Sequence, residues 1–225
     1  MEIIGYIHTD FSEKFGIPRQ SGLVEELKAT ITFLPKYRQQ EAFRGLEAFT
    51  HIWLLWQFHK AEREHWSATV KPPKLGGNTR MGVFATRSPF RPNNIGLSSV
   101  KLDYIEYAED VGPILHVSGA DLLDGTPIYD IKPYLAYTDS HPDAAGGWTS
   151  YLHNPPLTIH FPKDLLKMIP KDKQAALRSL LAEDPRPGYQ NEPERRYGIT
   201  FAGYDIRFYV DGTDLSVVEV IKLES

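Results

Sequence analysis

Leu27-Lys28-Ala29-Thr30-Ile31-Thr32-Phe33 and His51-Ile52-Trp53-Leu54-Leu55-Trp56-Gln57-Phe58 decide the fold class of this chain. The first stretch alternates apolar and polar residues, the pattern of a strand with one face in a core and the other toward water. The second is β-branched and aromatic without alternation, which reads as a strand buried on both faces. Between them Tyr37, Phe43, Leu46 and Phe49 recur at roughly helical spacing, so one short amphipathic helix is expected over residues 36–49.

Outward from this pair the strand signals continue. Residues 80–86, 97–107, 113–118 and 128–135 read as strands. They are separated by turn-forming runs: Lys71-Pro72-Pro73, Gly76-Gly77, Arg91-Pro92-Asn93-Asn94, Gly112-Pro113 and Asp124-Gly125-Thr126-Pro127. Many short strands with few helices indicate an antiparallel barrel or sandwich, not alternating β-α-β units. Composition shifts near Thr138, and proline, glycine and serine then mark residues 139–159 as a linker. Beyond it, residues 163–183 read as helix interrupted at Pro170. Residues 205–210 and 215–223 read as a hairpin around Asp211-Gly212-Thr213-Asp214.

The chain has 225 residues, 41% apolar and 24% charged, the composition of a globular protein large enough to bury a core without staples. It contains no cysteine, which excludes disulfides, zinc–thiolate and iron–sulfur sites, and a cysteine nucleophile. The start, MEIIGYIHTDF, lacks a basic segment followed by an apolar run, and no stretch is apolar enough to span a bilayer, so the expected compartment is the cytoplasm. Net charge is −4, so no global positive field points to nucleic acid. The charge is uneven, however. Residues 60–91 hold Lys60, Arg63, Lys71, Lys74, Arg80, Arg87 and Arg91 against Glu62 and Glu64 only. That stretch is either a solvated loop or a footprint for a phosphate-bearing ligand.

Dinucleotide-binding, phosphate-loop and nucleophile-elbow motifs are absent. The histidines show no metal spacing. His51 and His59, eight apart on a strand, would stand roughly 26 Å from each other, and no metal is expected. The informative segment is Thr86-Arg87-Ser88-Pro89-Phe90-Arg91-Pro92-Asn93-Asn94-Ile95-Gly96-Leu97-Ser98. Prolines stiffen a loop that carries two arginines and two asparagines. Either the arginines hold the turn through backbone bonds, or they present planar donor forks to a carboxylate or phosphate, and a ligand site is the favoured reading.

This segment resembles the central motif of the TsaA/TrmO-like family of S-adenosylmethionine-dependent tRNA methyltransferases. Three further segments resemble that family in order. They are Ile17-Pro18-Arg19-Gln20, then Leu54-Leu55-Trp56-Gln57-Phe58-His59, then Asp121-Leu122-Leu123-Asp124-Gly125-Thr126-Pro127 with its continuation to Tyr134. The resemblance covers residues 1–138, and the later helix and hairpin are similar to the family's smaller C-terminal domain. It implies a mainly β fold: an antiparallel β-barrel catalytic domain over 1–138, a linker over 139–159 and a small α+β domain over 160–225. It also implies S-adenosylmethionine as cofactor, tRNA as substrate, methylation at N6 of threonylcarbamoyladenosine beside the anticodon, and a homodimer.

Carried over residue by residue, Pro18, Arg19, Gln20, Phe58, His59, Arg87, Leu97, Leu123, Asp124, Gly125 and Thr126 are the expected cofactor contacts. Asp124 is the first candidate for the base that takes the acceptor's proton, and His59 the second. Lys71, Lys74, Arg91, Arg195, Arg196 and Arg207 are the candidate RNA contacts. Two other readings stay open: an RNA-binding barrel without catalysis that uses its aromatic strands for stacking, and a methyltransferase acting on a different small molecule or tRNA base.

Overall fold

Among the described residues ten of twelve strands form two main sheets and the other two a ribbon in the computed structural model, which describes residues 1–61, 65–151, 155–186 and 192–224. Six of them close into a barrel: β1 (Gly5–His8), β2 (Lys28–Phe33), β3 (His51–Gln57), β6 (Ile95–Ala108), β7 (Gly112–Ser118) and β8 (Thr126–Pro133). Their order is β1-β2-β7-β6-β3-β8, with β8 pairing back to β1, and every pairing is antiparallel. The expected mainly β fold with a barrel is therefore present. Ile7, Ile31, Ile52, Leu54, Val100, Leu115 and Ile128 fill the barrel interior.

Strands β4 (Thr69–Val70) and β5 (Met81–Gly82) form a two-stranded ribbon outside the barrel. The second large sheet runs β10 (Tyr197–Phe201), β11 (Tyr204–Asp211), β12 (Asp214–Lys222) and β9 (Thr158–His160), with β9 parallel to β12. The helix Gln174–Ala182 packs its apolar face, Leu177, Leu180 and Leu181, on this sheet. Strand β9 lies within and just past the span expected to be a linker. The core under this sheet is not private to it: Phe11, Val24, Leu27 and Leu123 from the first half of the chain pack into it. The Asp10 carbonyl accepts the Ala202 N–H at 2.9 Å, and Lys173 pairs with Asp10 at 2.6 Å.

Three expectations for local structure need correction. Strand β3 is not buried on both faces; Ile52, Leu54 and Trp56 point into the barrel, whereas Trp53, Leu55 and Gln57 are half-buried on its outside. A closed barrel has one interior, and the outer face here is covered only locally, as where the Trp53 indole bonds Asp139 at 2.8 Å and tilts against Tyr134. Residues 36–49 form three short 3-10 turns, Pro35–Tyr37, Gln40–Phe43 and Leu46–Ala48, instead of one helix. Gly45 at φ 88° breaks the spiral, and Phe43 turns in to meet Phe33 edge-on at 4.7 Å. Residues 80–86 pair only at Met81–Gly82 and then coil into the turn Val83–Ala85, because the chain folds back so that Val83 caps both Ala68 and Thr86.

Strands β3 and β6 pack closely where a tryptophan meets a glycine. Trp56 pairs with Gly96, and its indole lies on the glycine, so that a Cβ at residue 96 would sit 2.2 Å from the ring. The same indole donates to the Ser98 hydroxyl at 3.0 Å. Gly96→Ala should therefore force the indole off its seat, at a cost of about 1–3 kcal/mol. Thermal unfolding should show a drop of several degrees; an unchanged midpoint would mean that the indole has room to move.

Candidate active site

Because the barrel strands are antiparallel, the loops after β1, β3 and β7 all leave from one end, together with those that enter β2, β6 and β8. These loops carry the four motifs singled out in the sequence. They enclose a cavity of about 730 Å³, the size range of sites for small organic ligands.

Pro18, Arg19, Gln20, Phe58, His59, Arg87, Leu97, Leu123 and Thr126 all line this cavity. Arg87 donates to the Gln20 side-chain oxygen, which joins the first and third motifs across it. Arg19 donates to the Arg186 carbonyl at 2.9 Å and so ties the same wall to the C-terminal half. Phe58 ends β3 and tilts against Trp56 with ring centroids 4.2 Å apart. Its backbone N–H bonds the Asn94 carbonyl at 2.9 Å, clamping the proline loop to the strand end. Leu97 is 57% exposed at the rim, a large apolar side chain offered to whatever enters.

The two arginines of the proline loop divide the two readings between them. Arg91 donates to the Thr86 carbonyl at 2.7 Å and to the Val83 carbonyl at 3.2 Å, so it holds the loop's shape although it also lines the cavity. Among the described residues Arg87 has its side-chain partner across the cavity and remains the donor fork facing it.

Asp124 and Gly125 are not among the lining residues. Asp124 accepts the Thr9 N–H at 3.0 Å and stands 3.6 Å from the His8 ring, half-exposed. Gly125 takes φ 70°, which only glycine adopts without strain, and so turns the chain from the cavity into β8. The carboxylate that does face the cavity is Asp121, which carried no role in the sequence reading. It accepts the Ser98 hydroxyl at 2.6 Å, so that Trp56, Ser98 and Asp121 form a chain of hydrogen bonds from the barrel wall to the cavity. Burial holds the Asp121 carboxyl above the usual range, against the Ser98 bond and the Arg87 charge, which pull it down. The strand period shows that Trp56 and Ser98 face inward, but Asp121 lies beyond the end of β7 and past the left-handed Gly119, where no period could have pointed to it.

Burial, and then the neighbouring charge of Lys60, lowers the His59 pKa, so the imidazole is neutral at physiological pH. The His59 backbone N–H bonds the Gln57 carbonyl at 2.8 Å, which fixes the residue at the strand end.

Of the candidate RNA contacts, Arg91 lines the cavity and the other five fall into two groups. Lys71 and Lys74 are exposed in the connection between β4 and β5, and Lys74 is close enough to the cavity-lining Arg19 to feel its charge. Partial desolvation, and next the charge of Arg19, lower the Lys74 pKa. Arg195, Arg196 and Arg207 lie on or beside the C-terminal sheet, facing Glu192, Glu219 and Asp205. Among the described residues no cluster of histidines and carboxylates could hold a metal ion, and no helix is long and apolar enough to cross a membrane.

The buried Asp121 makes a testable statement about pH. A carboxyl with a raised folded-state pKa keeps its proton at pH values where the unfolded chain has lost it. Its contribution to stability therefore falls as pH rises from the ordinary value of about 3.9 through the raised one. Asp121→Asn removes that loss and keeps an acceptor for Ser98. The melting temperature of the variant relative to the parent should rise with pH across this window; a difference that stays flat or falls would contradict the burial of the carboxyl.

Comparison with known proteins gives a consistent result. The family described as tRNA-methyltransferase O N-terminal domain matches residues 6–140, and the TrmO C-terminal domain matches residues 154–223. An Escherichia coli K12 protein named tRNA (adenine(37)-N6)-methyltransferase is 42% identical over 99% of this chain and 97% of its own. A Pseudomonas aeruginosa protein named as a putative S-adenosylmethionine-dependent methyltransferase, RcsF, is 41% identical over 94% of this chain and 93% of its own. The crystal structure of TrmO from the same organism superposes with a TM-score of 0.79 at 36% identity, covering 98% of this chain and 95% of that one.

Proposed function

The chain belongs to the tRNA-methyltransferase O family, and from that membership and its cavity we propose that it methylates N6 of threonylcarbamoyladenosine at position 37 of tRNA with S-adenosylmethionine as donor. The observation that carries this reading is the convergence of four motifs, spread over more than a hundred residues, on one cavity.

The residues present fit that cofactor. It is a zwitterion at its amino-acid end with a flat base at the other. The cavity offers the Arg87 guanidinium for a carboxylate, the buried Asp121 for a cationic group, and the Phe58 ring for a planar or sulfonium surface. When bound, S-adenosylmethionine supplies a methyl group made electrophilic by its sulfonium. The chain's task is to hold the acceptor nitrogen in line with it and to exclude water, so positioning provides much of the acceleration. The carbamoylated N6 is urea-like and a poor nucleophile, and its proton must leave as the new bond forms. Of the two base candidates, His59 lines the cavity, and its lowered pKa favours the neutral imidazole that can receive that proton. Asp124 is engaged by Thr9 and serves the loop instead.

Lys71 and the cavity rim are the proposed phosphate-facing surface, since the tail's three arginines already face carboxylates. The reading extends to the division at residues 138 and 160, which the separate family matches support, to a homodimer and to the cytoplasm.

The direct test is methyl transfer. Purified protein with S-adenosylmethionine should add one methyl group to threonylcarbamoyladenosine in tRNA, read by mass spectrometry of the nucleosides, and none to tRNA lacking the carbamoyl group. Transfer to another base would overturn the substrate reading, and binding without transfer would favour the RNA-binding barrel.

A second expectation separates the base from the binding residues. His59→Gln should lower kcat about 10²-fold or more with little change in cofactor affinity. The parent's rate should fall only below about pH 6.5, because a lowered histidine pKa keeps the base form to lower pH. Loss of that acidic limb in the variant is the expected signature; an unchanged pH profile would remove His59 from proton transfer.

A further inference from the structure

Just outside the cavity two large aromatic side chains are left in solvent. Phe84 is 72% exposed and Trp66 is 53% exposed, and their rings lie near-parallel at 27° with centroids 6.3 Å apart. Neither ring lines the cavity. Both stand where the β4–β5 ribbon returns to the barrel, Trp66 before β4 and Phe84 after β5.

The backbone beneath Phe84 is held firmly. The Val83 N–H bonds the Ala68 carbonyl at 2.9 Å, the buried Val83 anchors the turn, and the Trp148 indole bonds the Ala85 carbonyl at 2.9 Å. The Arg91 guanidinium sits 5.7 Å from the centre of the Phe84 ring, and among the described residues its hydrogen bonds go to the neutral Val83 and Thr86 carbonyls. An apolar surface kept only for packing would be covered. This one is rigid, flat, wet and cationic at its edge, beside a cavity whose proposed substrate is a single base in a stacked RNA loop.

We propose that Trp66 and Phe84 form a stacking platform for a nucleobase flanking the target adenosine, with Arg91 at its cationic edge. This rests on the tRNA reading above. Turning adenosine 37 into the cavity strips a neighbouring base of its stacking partner. An exposed aromatic pair beside the cavity replaces that partner, and it does so for any base, since every base has a π face. The platform thus selects a splayed loop without reading its sequence.

The test uses an anticodon stem–loop carrying threonylcarbamoyladenosine at position 37 and 2-aminopurine at position 36 or, separately, 38. On binding to the full-length protein with S-adenosylmethionine, fluorescence at one of these positions should be quenched. Phe84→Leu and Trp66→Leu should abolish the quench and raise KM for tRNA about 10-fold, with cofactor affinity, measured calorimetrically, unchanged. Phe84→Tyr, which keeps a ring, should restore both.

Quenching that persists in the leucine variants, or methyl transfer that they leave intact, would overturn the platform. So would a change from dimer to monomer in those variants by light scattering, which would assign the patch to a second copy of the chain. A parent protein that quenches the probe but transfers no methyl group would instead overturn the proposed activity and leave the platform standing.

Discussion

The hydrogen bonds from Trp56 to Ser98 and from Ser98 to Asp121 hold the barrel wall and the cavity in one arrangement. Trp56 is 6% and Ser98 1% exposed, so the indole N–H and the serine hydroxyl have been taken out of water and must find their partners inside. The indole can donate to Ser98 only because it lies flat over residue 96, and only glycine leaves room for it there. The serine in turn fixes Asp121 where the strand β7 runs out into the loop before β8. A buried carboxyl without that bond would carry its desolvation cost unrelieved.

The loops around this chain are each closed by bonds that leave one functional atom toward the cavity. Arg91 is committed to carbonyls of its own loop, which frees Arg87 for the cavity. Asp124 is committed to Thr9, which leaves Asp121 as the inward carboxylate. Asn94 is committed to the Phe58 backbone, which sets Phe58 and His59 at the mouth. In the arginine and aspartate cases one residue of a chemically similar pair shapes the loop and the other is presented. The C-terminal half also takes part. Leu123 reaches from the cavity wall into its core, and Arg186 receives Arg19, so the sheet of β9 to β12 braces two cavity walls from behind.

The sequence made the barrel and the four loops legible because both leave periodic or punctuated signals: alternation in β2, and prolines and glycines at fixed places between strands. It made the inward and outward members of the aspartate pair illegible. Asp121 and Asp124 are three apart in one motif, and which of them faces the ligand depends on the left-handed turn at Gly125 and on the Thr9 N–H arriving from β1. The helix expected over 36–49 failed for a related reason, since three 3-10 turns reproduce nearly the same apolar spacing and Gly45 decides between them. Strands β9 and β10 were not read at all. Strand β9 has only three residues, too few to carry a period, and becomes a strand because β12 is beside it, whereas β10 does alternate, with Tyr197, Ile199 and Phe201 buried, and its short run was legible in principle.

The most direct measurement of this account is a double-mutant cycle on S-adenosylmethionine affinity with Trp56→Phe and Asp121→Asn, read by calorimetry. Trp56→Phe keeps the ring over Gly96 and removes only the donor to Ser98. If the hydrogen-bonded chain positions the cavity, each variant should weaken binding, and the pair should couple by about 0.5–3 kcal/mol. Strictly additive effects would contradict it, and would mean that the barrel wall and the cavity carboxylate act independently.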